Sequence, residues 1–208
     1  MNLCKICFRY LDEGCTLKEY LFEDDVICGY CRHKFIKNEK LYHYKNLRIH
    51  AFYIYDDFLE NLLFQYKEGK DIALHNIFLW KNKEKLNDIF RHHACVIMPS
   101  HEDKIKERGF HHIKEMLSIT DIKIEDCLIK TKNHKQSLQR AKNREKIIDI
   151  IQLKTKPKNN YYFFDDVITT GNTLLSAYEK LGLKDEIIDV YALSIHPHFV
   201  ELCDKEML

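Results

Sequence analysis

Residues Tyr161–Gly182 read YYFFDDVITTGNTLLSAYEKLG. Four aromatic residues, Tyr161 to Phe164, run directly into two adjacent carboxylates, Asp165 and Asp166. This is the pattern of a buried strand that leaves its sheet. Thr169, Thr170 and Gly171 make a turn, and from Asn172 the apolar spacing becomes helical. Two like charges side by side repel, so something in the folded or bound state must favour them. The first N–H groups of a helix have no internal partner and carry the positive end of its dipole. A phosphate fits there, held by backbone amides and threonine hydroxyls across Thr169, Thr170, Gly171, Asn172 and Thr173, with Gly171 permitting close approach. Carboxylates a few residues upstream suit sugar hydroxyls, or Mg²⁺ held at a distance. The turn as a whole specifies a phosphorylated sugar.

The same rhythm extends outward from this turn. ACVIMPS, from Ala94, predicts a short buried strand, HEDKIKERGFHH a charged loop, and IKEMLSI a helix. EDCLIKTK predicts another strand, and EIIDVYALSIH a final one. Strands alternating with helices predict an α/β fold whose mainly parallel sheet is flanked by helices. Ligands of such sheets bind beyond the carboxyl ends of the strands, where the charged loops fall. Further upstream, LYHYKNLRIHAFYIYDD predicts one or two strands. Leu59, Leu62, Leu63 and Tyr66 share one face of a helix. Gly69 breaks it, and Ile72, Ala73, Asn76, Ile77 and Trp80 predict the face of a second helix with Trp80 in the core.

The first 31 residues hold five of the eight cysteines, four of them paired as Cys4-x2-Cys7 and Cys28-x2-Cys31, with Cys15 an ordinary residue of the loop between. Each pair places two thiolates on one side of a tight loop, and two such loops complete a tetrahedron around Zn²⁺. A segment this short buries little core, so metal would supply its folding energy. The chain of 208 residues therefore reads as a zinc-binding module over 1–45 followed by an α/β domain over 46–208. No apolar run approaches the ~18 residues of a membrane span. The N-terminus lacks the basic-then-apolar layout of a signal peptide, so a cytoplasmic location is expected.

The net charge of +1 hides an uneven distribution. From Lys130 to Lys158 there are ten basic residues against two acids, Glu145 and Asp149. This favours a nucleic-acid partner, with Lys135, Arg140, Lys142 and Arg144 as candidate phosphate contacts. The cysteine-rich segment DEGCTLKEYLFEDD is acidic, which suits scaffolding or partner docking better than DNA binding.

FFDDVITTGNTL resembles the phosphoribosyl pyrophosphate (PRPP) motif of type I phosphoribosyltransferases. MPSHEDKIKERGFHH is similar to the segment written Pro-Leu-His, basic residues, Arg-Gly-Phe-Asn-Gln in the ComF family of competence-associated phosphoribosyltransferase-like proteins. KTKNHKQSLQRAKNREKI is similar to that family's Gln-x-x-Leu-x-x-x-x-Arg segment, and the four-cysteine module also belongs to it. The likeness is to the ComFC-like branch, which is linked to DNA uptake in natural transformation. It implies that Asp165 and Asp166 face the ribose hydroxyls of PRPP and that Thr169–Thr173 cradle its 5′-phosphate. It implies that Arg108 and Gly109 lie near the pyrophosphate, with Mg²⁺ accompanying PRPP, so that Arg108, Asp165 and Asp166 are the candidate catalytic residues. The basic segment from Lys130 to Arg144 would be a mobile hood. Two places depart from the pattern. His111-His112 replaces Asn-Gln, and Lys67-Glu68-Gly69 matches a Lys-aromatic-x-Gly segment loosely. Three functions stay open: a phosphoribosyltransferase with an unread acceptor, a PRPP-binding adaptor for incoming single-stranded DNA that works with other competence or DNA-processing proteins, and a PRPP-sensing regulator.

Overall fold

The computed structural model describes residues 3–22, 24–131, 150–158 and 160–206. Two short helices, α1 (Leu17–Phe22) and α2 (Gly29–Arg32), lie in the cysteine-rich segment. A hairpin of β1 (Leu41–Tyr44) and β2 (Leu47–Ile54) leads to α3 (Asp57–Lys67) and α4 (Lys83–Ile89). Next come β3 (Ala94–Ile97), α5 (Glu102–Arg108), α6 (His112–Leu117), β4 (Ile124–Glu125) and β5 (Leu128–Thr131). The chain continues through β6 (Ile150–Leu153), β7 (Tyr161–Ile168), α7 (Asn172–Lys180), β8 (Ile188–Ile195) and α8 (Pro197–Glu206).

Six strands form one sheet in the order β1-β2-β8-β7-β3-β4. Every pairing in it is parallel except β1 with β2. The mainly parallel sheet flanked by helices is the predicted fold class. β7 lies between β3 and β8, with Phe164 opposite both Ile97 and Tyr191. Phe163 and Phe164 have no exposed surface, and β8 is buried along its whole length. A strand covered on both faces carries a near-continuous apolar run, as β8 does. Its one carboxylate, Asp189, is paired with Arg48 and His50 on β2.

α3 starts where the Asp56 side chain accepts the N–H of Leu59 at 3.0 Å. Leu59, Leu62, Leu63 and Tyr66 are buried on its inner face, as predicted, and the helix ends at Lys67.

Four local expectations are corrected. Residues 72–80 do not form a second helix. Short 3-10 turns at Ile72–Leu74 and Trp80–Asn82 flank a wrapped segment there. Ile77, Phe78 and Leu79 are all fully buried, and three consecutive residues cannot share one helix face. Trp80 is half-buried, not core, and its Nε1–H donates to the Asp24 carbonyl at 3.0 Å. The charged stretch after β3 is helical, not a loop. α5 buries no apolar residue, so it carries no apolar periodicity, while acids in its first turn and bases in its last suit the dipole. Gly109, at φ +88°, closes it in the left-handed conformation. EDCLIKTK splits into β4, at the sheet edge, and β5, which pairs antiparallel with β6 in a separate ribbon. Finally, α8 follows the last predicted strand.

Candidate functional site

A cleft opens beyond the carboxyl ends of β3 and β7. Its lining includes Lys67, Ser100, Lys104, Arg108, His112, Lys130, Asp165, Asp166 and Thr173. Asp165 and Asp166 are brought there by β7, Lys67 by the last turn of α3, and Arg108 by the last turn of α5.

The two acids live in different surroundings, which answers the question their repulsion raised. Asp166 is 7% exposed. Its Oδ2 accepts from Lys67 Nζ, and His112 Nε2 lies 3.2 Å from the same oxygen. Its Oδ1 accepts the N–H of Val167 at 2.8 Å. Asp165 accepts the N–H of Asp166 at 2.9 Å. Burial pushes Asp165 up to about 7, against the opposing pull of Lys67 and Lys130. At neutral pH the pair therefore does not hold two full negative charges. Lys67 moves the other way. Burial brings it down to about 8, with Asp165 resisting and Arg108 assisting.

Arg108 is held in place before any ligand arrives. Its Nε–H donates to the Lys67 carbonyl at 2.9 Å, and Nη2 lies 3.6 Å from Glu68. Its side chain is 7% exposed. Lys104 is more open, 3.2 Å from Glu68.

The predicted phosphate turn lies at the start of α7. Gly171 has φ +71°, and a Cβ there would sit 2.9 Å from Phe199 and 3.3 Å from Tyr44, so glycine is required on both counts. Gly171 in the N-cap place offers α7 no side chain, and Thr170 Oγ1 takes only the Asn172 N–H, at 3.5 Å. Thr169, Thr170 and Asn172 are exposed, and Thr173 reaches the cleft. Gly109 follows Arg108 with open space around its Cα.

The sequence reading did not give Lys67, Ser100 or His112 a role. Lys67 was visible only as a loose match near Gly69. His112 was visible only as a departure from a pattern. Lys135, Arg140, Lys142 and Arg144, and the hood they would form, lie outside the described residues.

The four predicted zinc ligands do converge. The Sγ atoms of Cys4, Cys7, Cys28 and Cys31 all lie within 4.8 Å of one another. Tetrahedral Zn–S bonds of about 2.3 Å need sulfurs about 3.8 Å apart. Burial, and then the neighbouring sulfurs, push the Cys28 and Cys31 thiols up. At Cys4 burial is outweighed by N–H groups of Cys28, Cys7 and Ile6, which bring it down to about 7. Four sulfurs this close suit one soft cation bound tetrahedrally, so the donor set fits structural zinc. The module is tied to the rest by Arg32, which is buried, bonds both oxygens of Asp25 at 2.8 Å and donates to the Ile77 carbonyl at 3.0 Å.

No described helix is long and apolar enough to cross a membrane. No protein-family model matches the chain. Among curated proteins it is similar to the competence protein ComFC of Bacillus subtilis (strain 168), at 27% identity over 149 residues. The match covers 69% of this chain and 61% of that protein, so the chain spans about three-fifths of the length of its relative.

Proposed function

We propose that the chain is a PRPP-binding protein of the ComF kind that acts in natural transformation, handling incoming single-stranded DNA in the cytoplasm. One observation carries this reading. Asp165, Asp166, Arg108 and Thr173 meet in a single cleft at the open end of parallel strands, beside a helix start left without a side-chain cap. The similarity to ComFC supports the biological setting.

In this reading Asp165 and Asp166 take the ribose hydroxyls, with Mg²⁺ accompanying PRPP. Residues 169–173 take the 5′-phosphate on backbone amides and hydroxyls. Arg108, Gly109 and Lys104 face the pyrophosphate. Residues 1–45 form the zinc-bound module, a scaffold or dock for other competence or DNA-processing proteins, and 46–208 the phosphoribosyltransferase-like domain. Lys135, Arg140, Lys142 and Arg144 take DNA phosphates, so binding weakens steeply with salt.

Calorimetry with Mg²⁺ and PRPP is the test. Wild type binds, and an Asp165→Ala/Asp166→Ala double variant loses affinity by at least about tenfold, since each hydrogen bond to a charged group contributes roughly 1.5–3 kcal/mol. Equal binding by the two proteins removes the site assignment. A quadruple alanine variant at Lys135, Arg140, Lys142 and Arg144 loses DNA affinity and flattens its salt dependence, and an unchanged salt series removes DNA from that segment. The second reading, transfer of the phosphoribosyl group, is favoured by the buried Arg108 beside the acids, placed where charge on a departing pyrophosphate would develop. Pyrophosphate release across a panel of bases decides it.

A further inference from the structure

His112 replaces the Gln of the segment it resembles, and its ring meets partners on both sides. The residue is 7% exposed. Nε2 lies 3.2 Å from Asp166 Oδ2. Nδ1 lies 3.1 Å from Arg108 Nη1 and 3.2 Å from Ser100 Oγ. A guanidinium has no lone pair to offer, so Nδ1 must accept. The ring's single proton is then on Nε2, where it donates to Asp166.

Four charged or titratable groups face this ring: Lys67 from α3, Arg108 from α5, His111 just before α6 and Asp166 from β7. Burial, then Lys67, Arg108 and His111, hold the imidazole well below its ordinary value. A second ring proton would also point at a cation. The backbone is pinned too, because the His112 carbonyl accepts from the Tyr66 hydroxyl at 2.7 Å. The His111 ring is parallel to that of His112, with centroids 5.6 Å apart.

We infer that His112 is a positioning residue, a neutral ring that fixes the Asp166 carboxylate through one nitrogen and the Arg108 guanidinium through the other. The acidic and basic ends of the cleft thus share one spacer. This rests on the reading above that the cleft takes PRPP. Gln has an amide N–H and a carbonyl at similar reach, so it preserves the linkage. Leu fills the space and offers neither.

The experiment uses the full zinc-loaded chain with His112→Gln and His112→Leu. At equal melting temperature, His112→Gln keeps the Mg²⁺–PRPP dissociation constant within about threefold of wild type, while His112→Leu weakens it about tenfold or more, as misplacement of a binding group does. Equal binding by wild type and a folded His112→Leu overturns the proposal, and so does an equal loss in Gln and Leu. Should His112→Leu fail to fold, His112→Asn replaces it, because that shorter amide cannot span both partners. Ring ¹⁵N spectra give an independent readout without PRPP. They are expected to show a neutral, Nε2-protonated ring across the neutral pH range, and an Nδ1-protonated or cationic ring overturns the assignment. If wild type does not bind PRPP at all, the proposed function fails, and the ring spectra still decide how His112 is held.

Discussion

The cysteine-rich segment and the parallel sheet differ in where they put their apolar side chains. Phe8, Tyr10, Leu17, Tyr20, Leu21 and Tyr30 are each more than half exposed. In the sheet Phe163, Phe164, Val190 and Leu193 expose nothing. Inside the N-terminal segment the best-buried residues include three of the sulfur donors, Cys4, Cys28 and Cys31. The first region therefore fits a segment held by a ligand set, whereas the second is held by area removed from water. The lesson is that equal damage to the two should be read by different instruments. Metal content and local exchange report on the first, and global unfolding on the second.

The largest expected effect is on the ligand set. Cys28→Ser should lower zinc stoichiometry to near zero and remove a contribution on the order of 10 kcal/mol to folding of the module. Hydrogen exchange should rise through residues 3–32 while β7 and β8 stay protected. Folded wild-type protein without zinc would break the comparison at its root. Phe164→Ala attacks the other side. It should cost about 3–5 kcal/mol in urea unfolding, the range for deleting a buried aromatic ring, and leave zinc content unchanged. A parallel loss of zinc would show that the two regions fold as one.

Smaller effects sharpen the picture at the cleft. Gly171→Ala imposes a left-handed backbone on alanine and drives its Cβ toward Phe199. About 1–2 kcal/mol of stability should be lost for the backbone alone, with a weaker PRPP response than stability predicts if the loop shifts. The most gradual expected effect is on the pH slope, which is spread over several pH units. Burial raises Asp165 from 3.8 to about 7 in the folded chain. Folded protein then holds a proton that the unfolded chain has released, so stability present below about pH 4 declines as pH rises toward about 7. Lys67, lowered from 10.5 to about 8, acts with the opposite sign at higher pH. There the unfolded chain holds the extra proton and stability rises. Urea midpoints of wild type and Asp165→Asn across this range check the first slope, which should flatten in the variant.

Much of this arrangement was legible in the chain. The aromatic run of β7, its acids and the glycine turn signalled a strand, a turn and a helix start, because each obeys a short-range rule. The cysteine spacing signalled convergence for the same reason. What escaped notice had no local signature. α5 is charged along most of its length and buries no apolar residue, so it has no apolar period to find. Residues 77–79 are buried by wrapping against other elements, and that is decided by tertiary contact. Lys67 and His112 meet Asp166 from distant parts of the sequence, and only the sheet brings them together. Arg32 is likewise set by the fold, between Asp25 and the Ile77 carbonyl.

Gly171 is backed by Phe199 of α8 and Tyr44 of β1, two rings packed edge to face with centroids 5.0 Å apart. The turn is thus packed from behind, by two rings outside the lining of the cleft. Substitutions at 44, 171 and 199 are therefore expected to act non-additively, because these three positions, far apart in the chain, are in contact. Any side chain at 171 would meet the Phe199 ring first, and its left-handed backbone adds a second cost. α8 thus takes part in shaping a turn that lies far from it in sequence.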